Sequence, residues 1–125
     1  MLTKDEQLKL FTDTCQYWVN RFGLKGWEIS YMSRPMDENV AEFVGHIPSR
    51  QVTIVLNNCL DDDEATEKEI KKCALHEVCE LLLARIVEYM KSEHTPDNVV
   101  EEATHEVIHT IVNFIDDNNL QGDIP

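Results

Sequence analysis

Leu8, Phe11, Cys15, Trp18 and Phe22 recur at steps of three and four residues, the spacing of one face of an α-helix. Thr3 followed by Glu6 forms a capping-box pattern and Gly23 is placed to end the turn, so the spacing predicts a first helix over 4–22. The period then drops to two. From Gly26 onward Trp27, Ile29 and Tyr31 alternate with polar residues, as a half-buried strand requires. Arg34-Pro35 and Asp37-Glu38-Asn39 read as a loop, 40–46 as a second strand, Pro48-Ser49 as a turn, and Val52, Ile54 and Leu56 as the inward positions of a third strand. Three short strands, expected as a meander, need a helix against one face to be stable.

The segment from Ala65 to Met90 lacks Gly and Pro and is apolar around most of its circumference in the middle, which predicts a long, buried central helix. Asp61-Asp62-Asp63-Glu64 stands before it, where carboxylates can cap free amides and meet the positive end of the helix dipole. After a polar break, Thr95-Pro96 supplies an N-cap and a first-turn proline for a last helix over 97–115, and 116–125 reads as an acidic tail. The expected fold class is therefore α+β: N-terminal helix, three-stranded sheet, long central helix and C-terminal helix, in a single domain over 1–125 with its core in 3–115.

Composition changes this picture in one respect. A chain of 125 residues suits a single core, but its net charge is −13. So acidic a surface repels phosphate backbones and anionic membranes, which excludes a direct nucleic-acid binder and leaves a basic protein partner open. Cys15, Cys59, Cys73 and Cys79 form no CxxC pair, the N-terminus has no basic-then-apolar leader pattern, and no apolar run is long enough to span a bilayer. These features predict a cytoplasmic protein with reduced thiols. His46 and His94 read as solvated loop residues, and Trp18 and Trp27 as core anchors.

The candidate chemistry lies in Ala74-Leu75-His76-Glu77-Val78-Cys79-Glu80-Leu81, where three ionisable residues interrupt the most hydrophobic helix. Buried charge is costly unless paired, hydrogen-bonded or bound to metal. His76 and Glu80 stand one turn apart on the same side, the geometry a metal needs from two ligands on one helix, with a buried polar network as the alternative. Cys73 and Cys79 are nearby thiols that would make such a site structural. The last helix holds a literal HExxH, His105-Glu106-Val107-Ile108-His109. Its apolar face, assigned to Val100, Ala103, Val107, Ile111 and Phe114, leaves His109 on the opposite side and His105 on a flank, which argues against a cleft there. The more economical site joins both helices: His76 and Glu80 completed by His105, with Glu101 or Glu102 as alternatives for the third ligand, would hold one zinc ion with an open position for water.

The order of these features also resembles a known group. Trp18 and Phe22-Gly23-Leu24, then Gly26-Trp27-Glu28-Ile29, Ala41, Val52-Thr53-Ile54-Val55-Leu56, Ala74-Leu75-His76-Glu77-Val78, Glu101-Glu102 and His105 are similar to the small zinc metallopeptidases of phages and prophages with a minimal zincin-like fold. The resemblance implies a zinc-dependent hydrolase of peptide or protein substrates, working in the host cytoplasm if phage-encoded, with His76 a ligand and Glu77 the general base. Those proteins usually carry HExxH on the central helix. Here Glu80 stands where the second His is expected, and an anionic ligand weakens the metal's acidifying effect on water. The alternative is a catalytically degenerate, acidic binding or inhibitor module for a basic protein.

Overall fold

The computed structural model describes residues 1–92 and 94–120. The element order is α1 (Lys4–Phe22), β1 (Glu28–Arg34), β2 (Ala41–His46), β3 (Gln51–Asn57), α2 (Glu67–Met90) and α3 (Asp97–Leu120), an α+β layout. The capping box at the head of α1 is formed: Glu6 N–H donates to Thr3 Oγ1 at 3.1 Å and Thr3 N–H to Glu6 Oε1 at 2.9 Å. At its end Gly23 takes the left-handed conformation, φ +67°, in which a side chain would be strained.

The strands do not form a meander. Their order is β1-β3-β2, with β1 parallel and β2 antiparallel to β3. The physical reason lies in β3, whose residues from Ile54 to Asn57 are all buried, on both faces of the sheet, so it needs a neighbour on either side. Ile54 faces the helices, whereas Val55, on the other face, lies in register between Met32 and Glu42 and is 1% exposed. Residues 35–40 carry the chain past the end of β3, and the buried Asn57 side chain ties that crossing down. Its Nδ2 donates to the carbonyls of Met36 and Asn39, both at 3.0 Å, and its Oδ1 accepts from the amides of Met36 at 3.1 Å and Cys59 at 2.9 Å.

The acidic run also behaves differently from expectation. The Asp61 carbonyl accepts from the amides of Glu64 and Ala65, making a turn before the helix, and Thr66 is the N-cap, its Oγ1 accepting from Glu69 N–H at 3.2 Å. The first-turn acids of α2 are Glu67 and Glu69. A hydroxyl directly preceding the first turn outcompetes carboxylates that lie farther upstream.

The core joins the helices to the inner face of the sheet through Phe11, Cys15, Ile54, Leu56, Ile70, Ala74 and Val78. Trp18 stacks on Phe22 at 5.7 Å between ring centroids, and Phe22 meets Phe114 of α3 at 5.3 Å. Burial of α2 is one-sided rather than complete: Leu83 and Val87 are each 45% exposed and Met90 72%. Glu106 of α3 pairs with Arg85 of α2 and, at 3.4 Å, with Arg50, whose guanidinium lies over the Trp27 ring. The α3 backbone continues to Leu120, past the expected end at 115, and the last part of the expected tail, 121–125, lies outside the described residues. Among the described residues no helix is long and apolar enough to cross a membrane.

Candidate metal centre

Ile70, Ala74, Val78, Leu81 and Ala84 are buried and fix the rotation of α2 about its axis. That rotation carries Glu77 inward with them, to 3% exposure, and leaves His76 and Glu80 at the surface on the side next to it. Each of the three residues offers a donor atom within 4.8 Å of the others, and His76 Nε2 lies 3.5 Å from Glu80 Oε1. Glu77 Oε2 is buried without a hydrogen-bond partner. Burial, then the charge of Glu80, a hydrogen bond to it and the charge of Glu42 on β2 push the Glu77 carboxyl up to about 8. The imidazole of His76 and the carboxylate of Glu80 are donors that suit a divalent cation, and the orphaned buried oxygen of Glu77 stands beside them.

Comparison with protein-family models, with curated proteins and with solved structures found no match to this chain.

The structure brings together His76, Glu77 and Glu80, and it leaves His105, Glu101 and Glu102 outside that group. Residues on a helix are about 100° apart around the axis. Ala103, 1% exposed, marks the side of α3 turned to the core, so His105 and Glu101, two positions away in either direction, point away from it, and both are exposed. Glu102 sits on an exposed flank. The literal HExxH is occupied structurally, because Glu106 is held by Arg85 and Arg50 while His105 and His109 are exposed. Cys73 and Cys79 also lie outside the group. Burial pushes Cys73 up to about 12 and Cys79 upward too, which disfavours their thiolates.

Two recesses flank the centre. One, of about 680 Å³, runs between β2 and α2, lined by Phe43, Val44 and Ile47 on one wall and by Glu80, Leu83 and Val87 on the other. Gly45 lies in it, and a Cβ there would overlap the Gln51 carbonyl oxygen and come 2.7 Å from Val52 Cα. The other, of about 290 Å³, lies on the far side of His76 beside Val40, Cys73 and Glu64. Neither this groove nor Glu42 carries a signal in the sequence, because both depend on β2 being the edge strand beside α2.

Proposed function

We propose that the chain is a zinc-dependent peptidase with its centre on α2, in keeping with its resemblance to minimal zincin-like metallopeptidases. The observation that carries this reading is the buried, unpartnered oxygen of Glu77 within reach of His76 and Glu80. His76 Nε2 and Glu80 Oε1 would hold the ion, so the ligands come from α2 alone. When bound, zinc supplies Lewis acidity that polarises a scissile carbonyl and acidifies water. Glu77 takes a proton from water as the oxygen adds to the carbonyl carbon, and returns it to the leaving amine as the C–N bond breaks. Glu77 would work as a base in its ionised form, which a cation held by His76 and Glu80 would favour by offsetting the Glu80 and Glu42 charges.

The open edge of β2 supports an extended substrate. The Asn57 amide donates to the Val40 carbonyl, and antiparallel alternation from that bond turns the peptide groups of Ala41, Phe43 and Gly45 outward. A peptide can add there as a further strand beside the centre.

The test is zinc content after purification without chelator, together with cleavage of a mixed peptide library. One zinc per chain is expected, and Glu77→Gln should retain it while losing at least about a hundredfold in kcat. Absence of stoichiometric zinc overturns the reading. The outward position of His105 favours a second reading, in which a centre short of one neutral ligand serves a catalytically silent binding module. Full zinc occupancy without cleavage in the wild type would select it.

A further inference from the structure

On the side of α3 turned away from the core, Ile108, Ile111, Val112 and Ile115 are each 44–48% exposed. At about 100° per residue they share one arc of the helix, and Glu101 and Asp97, both exposed, continue that arc toward the N-terminus. The helix contains no Lys or Arg. Among the described residues, Arg85 and Arg50 meet α3 at Glu106, and Arg21 lies over the Phe114 ring. The outer face thus combines an aliphatic stripe with negative charge and carries no Lys or Arg of its own.

Charge decides the occupant. A second copy would bring together two chains of net charge −13 and leave Asp97 and Glu101 without a cationic partner on the facing helix, and an anionic lipid surface would be repelled by the same net charge. A helix whose apolar stripe gives way to Lys or Arg at one end matches both halves of the face: its apolar residues cover the stripe, and its basic residues meet Asp97 and Glu101. We propose that the outer face of α3 docks a cationic amphipathic helix of a partner protein. This surface is separate from the His76, Glu77 and Glu80 group, and the inference stands whether or not the chain is a peptidase.

The probe is a fluorescein-labelled model peptide of leucine and lysine at helical spacing, with a control of the same composition scrambled to remove the stripe. Fluorescence anisotropy with the full chain should give at least about tenfold tighter binding of the helical peptide than of the control. The triple variant Ile108→Asn, Ile111→Asn, Val112→Asn should weaken binding about tenfold or more, with an unchanged circular dichroism spectrum, since all three positions are exposed. Glu101→Gln should lower affinity and reduce its dependence on salt. Met90→Asn, at the end of α2 and 72% exposed, should leave binding unchanged. Equal binding of the scrambled peptide, indifference to the α3 variants, or loss caused by the α2 variant overturns the proposal. So does a wild-type dimer in sedimentation that the triple variant dissolves, which would make a second copy the occupant.

Discussion

At Glu77 the cost of burial is concentrated in one carboxyl. The ordinary value of 4.5 rises to about 8, first through desolvation and then through Glu80 and Glu42. In the metal-free protein the folded state therefore holds this proton more tightly than the unfolded chain. The resulting stability is fully present below about pH 4.5 and is lost as pH rises through about 8. Guanidinium unfolding of chelator-treated protein should accordingly show stability falling across that window, and Glu77→Gln should flatten the fall. Zinc should act in the opposite direction at neutral pH. At a hundredfold excess over its dissociation constant it should stabilise the wild type by about 2.7 kcal/mol and leave His76→Ala nearly unaffected, as thermal melts can check. The helical spacing of His76, Glu77 and Glu80 was legible in the sequence because all three sit on one helix, whose geometry is local. That Glu77 alone turns inward was not, because the direction depends on which side of α2 meets α1 and the sheet.

Among the elements, α1 begins at its capping box and ends at Gly23 as its spacing predicts, and the three strands follow their alternating segments, with β1 starting one residue after Trp27 and running on through Arg34. Their pairing departs from the expected meander. Period-two alternation identifies the inward residues of a strand but carries no information about its neighbours. Here a single buried side chain, Asn57, holds the 35–40 crossing that lets β2 lie outside β3. Asn57→Ala should leave the buried polar groups of that loop unpaired and destabilise the fold by about 3 kcal/mol in urea unfolding, more than a surface cap such as Thr3→Ala at about 1 kcal/mol. α2 ends at Met90 as the pattern predicts and starts at Glu67 behind the Thr66 cap rather than at Ala65, since the acidic run forms its own turn.

For the whole molecule, a net charge of −13 means that the compact state confines its own repulsion. The ion pairs at the surface, Lys9 with Asp13 and Lys71 with Glu67 among them, are local and exposed, and contribute little against that total. Adding potassium chloride should therefore raise the thermal midpoint by several degrees, because screening relieves the repulsion more than it weakens the pairs. A fall in the midpoint would show that attractive pairs dominate.

The sequence by itself determined the α+β class, the ends of α1, the approximate place of each strand, the acidic charge and the His-Glu-Glu spacing on α2, because each follows from local periodicity, capping or composition. Tertiary structure decided the rest. It set the strand order, buried Glu77 with an unpartnered oxygen, opened the groove beside β2, and turned His105 away from His76 by giving Ala103 and Phe114 to the interior of α3. Each depends on which face of one element meets another, and a helix presents several nearly equivalent apolar faces until its neighbours choose between them.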